Sequence, residues 1–167
     1  AAIAACIIFG WNALLIMAVS VATCVLCEYI CRKVMKRPNT ITDLSAVVTG
    51  LLLAFNLPAN IHPLIVVFGG IVAIVVVKQM FGGIGQNFVN PALTARIILM
   101  SSFPAKMSGT CWPIPFWYKS SADALTSATP LGLLAEGKTD QIPDYLSLFL
   151  GARGGCLGET CALALLL

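Results

Sequence analysis

Residues 44–77 read LSAVVTGLLLAFNLPANIHPLIVVFGGIVAIVVV, 34 residues without a formal charge. A run this apolar belongs in lipid, where ~20 residues of helix cross the hydrocarbon. It is too long for one crossing, and Asn56, Pro58, Asn60, His62 and Pro63 cut it in the middle. Proline lacks a backbone donor and pushes the residue before it out of the helical region. Two helices are therefore expected, over 43–55 and over 61–80. The first has 13 residues, roughly 20 Å of helix, which falls short of the ~30 Å hydrocarbon core. A short helix ending at membrane depth is tolerated only where protein or a cavity covers its end.

Outward on the N-terminal side, residues 13–30 are about one bilayer crossing, preceded by a break at Gly10-Trp11-Asn12 and by the tail of an earlier helix over 1–9. Glu28 and Tyr29 close the span, and Glu28 is expected at the interface. Arg32, Lys33, Lys36 and Arg37 follow, and four basic residues in a short loop mark the cytoplasmic side. Thr42 or Asp43 is expected to open the next helix, where an acid suits the positive helix end.

On the C-terminal side, residues 81–91 read FGGIGQNFVNP. Asn90-Pro91 is a helix start, with Asn as cap and Pro in the first helical position. The helix it opens, 91–103, is again short and carries Arg96. Two short, Gly/Pro-interrupted segments indicate a discontinuous-helix membrane fold with a central site. The expected class is an all-α integral membrane protein, a multi-span helical bundle. An acid-x-small-Ala echo between Asp43-Leu44-Ser45-Ala46 and Glu159-Thr160-Cys161-Ala162 suggests half of an inverted-repeat fold.

Composition agrees with lipid. Hydrophobic residues make up 59% and charged residues 10% of the 167 residues, against about 25% charged in soluble domains. The net charge of +3 is too small and too local to indicate nucleic acid. Three regions follow: transmembrane helices over 1–104, a wet loop over 105–142, and the start of a second transmembrane half over 143–167. Counting spans from the basic loop places the wet loop outside the cytoplasm. Trp112, Trp117 and Tyr118 give it an interfacial aromatic belt. The chain begins at Ala1 and ends inside an apolar run, as a piece of a longer protein would.

Few residues suggest chemistry directly. Cys24, Cys27 and Cys31 have the thiolate spacing of an Fe–S ligand run, but they also fit one helix face, where thiols pack as small hydrophobes. No metal site is expected. Gly82-Gly83-x-Gly85 lacks the preceding strand and following acid of a dinucleotide fingerprint and reads as a tight turn. Charged groups at membrane depth are costly and usually functional, which makes Asp43, Arg96 and Glu159 candidates for an ion path. The loop DALTSATP, 123–130, carries three hydroxyls among small residues. No catalytic triad, paired carboxylates or zinc spacing appears.

Four stretches, TDLSAVVTGLLLAFNLP (42–58), VVVKQMFGGIGQNFVNPALTARIILMSSFP (75–104), DALTSATPLGLL (123–134) and GGCLGETCALALLL (154–167), resemble the RnfD/NqrB family. These are membrane subunits of ion-translocating oxidoreductases. RnfD belongs to the Rnf ferredoxin:NAD⁺ oxidoreductase and NqrB to the sodium-pumping NADH:quinone oxidoreductase. The resemblance implies FMN joined through its phosphate to Thr129, with Thr126, Ser127 and Ala128 filling the preceding motif positions. Ser127 stands where many members have Gly. A separate flavin transferase would make the bond, so Thr129 is an anchor and the flavin supplies the electron chemistry. A second, noncovalent flavin, riboflavin, is implied at Gly85–Pro91, with Asn87 and Asn90 as its contacts.

The implied partners are the other Rnf subunits, RnfA, RnfB, RnfC, RnfE and RnfG, together with membrane lipid. The implied location is the bacterial inner membrane, with the FMN loop outside the cytoplasm. The function implied is electron relay between flavin and Fe–S centres, coupled to Na⁺ or H⁺ movement. A solute channel with the same broken helices and no redox role is the alternative.

Overall fold

The computed structural model describes residues 1–38, 41–83, 85–107, 112–113, 126–127, 130–135, 137, 144–151 and 154–166. Among these the regular elements are helices apart from one two-residue ladder. Helix α1 is Ala2–Phe9. Gly10, at φ 65°, breaks it from α2, Trp11–Val34. A 3₁₀ turn, Ile41–Asp43, leads to α3, Ser45–Phe55. Helix α4, Pro63–Ile71, runs on as a π-helix through Val72–Gln79. Helix α5 is Pro91–Ser102 and α6 is Pro104–Met107. Strand β1, Trp112–Pro113, pairs antiparallel with β2, Thr126–Ser127, Trp112 opposite Ser127. Helices α7 Pro130–Ala135, α8 Tyr145–Leu150 and α9 Ala162–Leu166 complete the described elements.

Among the described residues, α2 is the one helix both long and apolar enough to cross a membrane; α3 and Pro63–Gln79 are shorter apolar helices. The span is longer than the expected 13–30. Its buried residues Ala13, Ile16, Met17, Ser20, Cys24, Glu28 and Arg32 recur every three or four positions, so one stripe faces the other helices. Because Glu28 and Arg32 lie on that stripe, their charges do not end the helix. The opposite face, with Trp11, Leu26 and Ile30 exposed, is left apolar, as a lipid-facing surface requires.

Helix α3 starts two residues later than expected. Leu44, at φ 54°, takes a left-handed conformation, and Ser45 is the first helical residue. Neither Thr42 nor Asp43 caps it. Two side chains do cap helices, and Asn90 is the one expected; the other, His62, starts its helix at Pro63 rather than at Ile61. His62 Nδ1 accepts from Leu64 N at 3.3 Å with Pro63 next. Asn90 Oδ1 accepts from Ala92 N at 3.0 Å. The last apolar run is helical only in part. Residues 157–159 form a turn, and the helix begins at Ala162.

The frame is tight where α2 meets α3. Ser20 Oγ donates to Gly50 O at 2.7 Å. A Cβ on Gly50 would lie 2.8 Å from Val21 Cα and 3.1 Å from Ser20 O. Both neighbours are backbone, so nothing can yield without moving a helix. Small residues at such crossings allow helices to approach closely in membranes. Gly50→Ala should therefore cost about 1–3 kcal/mol, the usual range for overpacking. Reversible unfolding of the full-length chain in detergent, compared with wild type, measures this directly.

Candidate functional site

Four polar side chains meet inside this apolar frame. Glu28 on α2 is 0% exposed, Lys78 and Gln79 at the end of the π-helix are 2% and 1%, and Arg32 is 6%. Lys78 Nζ donates to Glu28 Oε2 at 2.9 Å and to Ser45 Oγ at 2.7 Å. Gln79 Nε2 donates to Glu28 Oε1 at 3.1 Å. Each carboxylate oxygen thus receives a donor from one of two consecutive residues. Glu28 is therefore turned inward and closed from solvent by its neighbours. Burial of a carboxylate is costly unless it is paired and hydrogen-bonded, and here it is both. Gln79 Oε1 and Arg32 Nε are buried without a hydrogen-bond partner among the described residues.

The glycine turn lies directly beneath this cluster. Gly82 N and Gly83 N donate to the carbonyls of Gln79 and Lys78, at 3.2 and 3.0 Å. Gly83 has φ 104°, a conformation that favours glycine, and a Cβ there would meet the guanidinium end of Arg32, Nη2 at 2.6 Å, which would have to shift. Asn87 closes the turn. With its amide nitrogen toward the carbonyls, it donates to Val77 O and Lys78 O at 3.1 Å each and to Gly83 O at 3.3 Å. It thereby satisfies carbonyls that the helix end leaves without intrahelical donors. Asn90 caps α5. Asn87 and Asn90 thus hold the two ends of one turn.

A second cluster sits where α3 stops. Arg96 Nη1 donates to Asn56 Oδ1 at 2.8 Å. Glu159 Oε1 accepts from Cys156 N at 3.3 Å, and Cys156 Sγ donates to Asn56 O at 3.5 Å. Leu157 N and Gly158 N donate to Leu57 O and Phe55 O, at 3.0 and 2.9 Å. The segment before α9 therefore supplies donors to the carbonyls that the broken helix exposes. Arg96 and Glu159 both belong to this junction. Asp43 does not; it is exposed on its 3₁₀ turn.

The hydroxyl loop is only partly described. Thr126 and Ser127 form β2 opposite Trp112 and Pro113, while Ala128 and Thr129 lie outside the described residues. Trp112 is buried, and its Nε1 has no partner among the described residues. Cys24, Cys27 and Cys31 follow one another at about one-turn intervals along α2; no group of three metal-ligating side chains gathers among the described residues. An open cleft of about 260 Å³, with Asn12, Asn60 and His62 over Ile16 and Ile61, lies at the other end of α2 from Glu28.

Sequence reasoning missed the Glu28–Lys78–Gln79 cluster. One signal was present: Ser20, Cys24, Glu28 and Arg32 fall at i+4 intervals on one face.

Residues 1–167 match the NQR2, RnfD, RnfE family, and the chain belongs to it. It is 49% identical to a subunit of the Na⁺-translocating ferredoxin:NAD⁺ oxidoreductase complex of Acetobacterium woodii, covering 96% of this chain and 49% of that protein. It is 41% identical to the like-named subunit of the proton-translocating ferredoxin:NAD⁺ oxidoreductase complex of Clostridium ljungdahlii, covering 95% and 49%. It is 37% identical to the like-named subunit of an ion-translocating oxidoreductase complex of Stutzerimonas stutzeri, covering 96% and 52%. The chain thus spans about half the length of these relatives.

Removing one partner of a buried pair leaves the other charge uncompensated. Glu28→Ala should destabilise the chain by about 3–5 kcal/mol, and the double change Glu28→Gln with Lys78→Met by markedly less. Unfolding midpoints of the purified full-length proteins would show this order, or reverse it.

Proposed function

We propose that this chain, a member of the NQR2, RnfD, RnfE family, is the flavin-bearing part of a membrane subunit in an ion-translocating ferredoxin:NAD⁺ oxidoreductase. It would sit with RnfA, RnfB, RnfC, RnfE and RnfG in the bacterial inner membrane. FMN is held through a phosphoester at Thr129, outside the cytoplasm, and riboflavin lies against Asn87 and Asn90. The observation that carries the reading is the buried Glu28–Lys78 pair within an otherwise apolar frame, one turn from Asn87. Charge kept in lipid at such cost is usually functional, and a passive scaffold has no need of it.

The residues present fit the flavins. Asn87 commits its amide donors to backbone carbonyls, which leaves its oxygen as an acceptor for a donor such as a flavin imide N–H. Trp112 carries a buried indole N–H without a partner among the described residues, on the strand paired with Thr126–Ser127. Such a donor suits a group rich in phosphate and ribityl oxygens. Thr126, Ser127 and Ala128 keep the approach to Thr129 small, which a flavin transferase needs. When bound, the flavins would supply the electron transfer; the chain's residues orient them and hold fixed charge nearby.

Two outcomes test the reading. Full-length chain made alongside the transferase should give a fluorescent flavin band on a denaturing gel, and Thr129→Ala should abolish it. A denatured wild-type chain without flavin mass would leave the solute-channel alternative. For the ion path, Arg96→Met and Glu159→Gln, at the α3–α9 junction, and Asp43→Asn should lower ions moved per electron. Unchanged coupling in all three variants removes the path from these residues.

A further inference from the structure

The buried charge cluster and the proposed flavin turn share one residue. Lys78 pairs through its ammonium with Glu28 and Ser45, while its carbonyl accepts from both Asn87 and Gly83. Its neighbour Gln79 bonds the other oxygen of the same carboxylate. Both sit at the end of a π-helix, a form found frequently at functional sites. Glu28 and Arg32 close the cluster from α2, with Arg32 against Gly83. Charge at Glu28 and position at Asn87 are therefore joined through a single backbone unit.

We propose that the Glu28–Lys78–Gln79 cluster sets the reduction potential of the noncovalent flavin at Asn87, with Lys78 as the positioning residue that links them. This rests on the reading that Asn87 contacts a flavin. A flavin gains negative charge as it accepts electrons, so nearby negative charge opposes reduction and nearby positive charge favours it. A unit charge some ten ångströms away, at an effective dielectric near 20, changes such an equilibrium on the order of tenfold. Linkage makes the effect reciprocal. If the Glu28 charge opposes flavin reduction, reduction must strengthen the hold of Glu28 on a neutralising cation or proton by the same factor. Electron arrival and charge uptake are then coupled within this subunit.

The test uses two nearly isosteric exchanges of opposite sign in the full-length chain, in a Thr129→Ala background that leaves the extractable flavin as its only one. Glu28→Gln removes one negative charge, and Gln79→Glu adds one beside Lys78 and Arg32. Redox titration of the flavin absorbance should show the potential raised in the first and lowered in the second. Each shift should correspond to roughly a tenfold change in the one-electron equilibrium, about 59 mV. A general packing defect would not move the two in opposite directions. Shifts of the same sign, or no shift in a variant that retains flavin, overturn the proposal; if one variant does not fold, the other decides by the sign of its shift. Wild-type chain that releases no flavin on acid extraction overturns the underlying reading and the coupling with it.

Discussion

A carboxylate with no exposure, inside helices built for lipid, constrains everything around it. Glu28 must keep two donors in place or lose its charge. Those donors come from the far end of another helix, and the ammonium that supplies one of them also needs Ser45 on a third. One buried charge thus ties α2, α3 and the π-helix into a single register. The apolar contacts of the same helices, with Cys24, Ala46 and Ile74 buried together, are non-directional and would tolerate small slips. The ion pair would not. Helices in lipid gain little from the hydrophobic effect against one another, so a directional contact carries more of the specificity here.

The broken helix poses a second constraint and solves it differently. Helix α3 stops where Asn56 and Pro58 interrupt it, and its last carbonyls would be unsatisfied in hydrocarbon. Backbone N–H groups of Leu157 and Gly158 reach them from about a hundred residues along the chain. Arg96 fixes the Asn56 side chain at the same junction. A polar end at membrane depth is thereby covered by the segment that precedes α9. That junction collects Arg96 and Glu159, two of the three charged residues that the sequence marks for an ion path. Asp43 stays outside it because it precedes the N-terminal end of α3, whereas the junction lies at the C-terminal end of that helix.

Legibility varied residue by residue. Asn90-Pro91 announces its cap because capping is local: a side chain bonds amides two and three residues away. Gly10, Pro58 and Pro63 announce breaks for the same reason. The turn-closing role of Asn87 was not legible, since its donation to Val77, Lys78 and Gly83 depends on how a turn closes. The burial of Glu28 was not legible from its position beside four basic residues; its place on the stripe of Ser20 and Cys24 turns it inward.

By itself the sequence determined that this chain lives in lipid, where its helices break, which end carries the basic loop, and which family it resembles. These follow from composition, from proline and glycine backbone chemistry, and from motifs read in order, all properties of neighbouring residues. Only the tertiary structure decided which charges are buried together. Glu28 and Lys78 are 50 positions apart, and Asn56 and Cys156 are 100 apart. No local propensity encodes such pairings. They are selected because a charge or a carbonyl is tolerated in a low-dielectric frame only when its partner arrives at the same place.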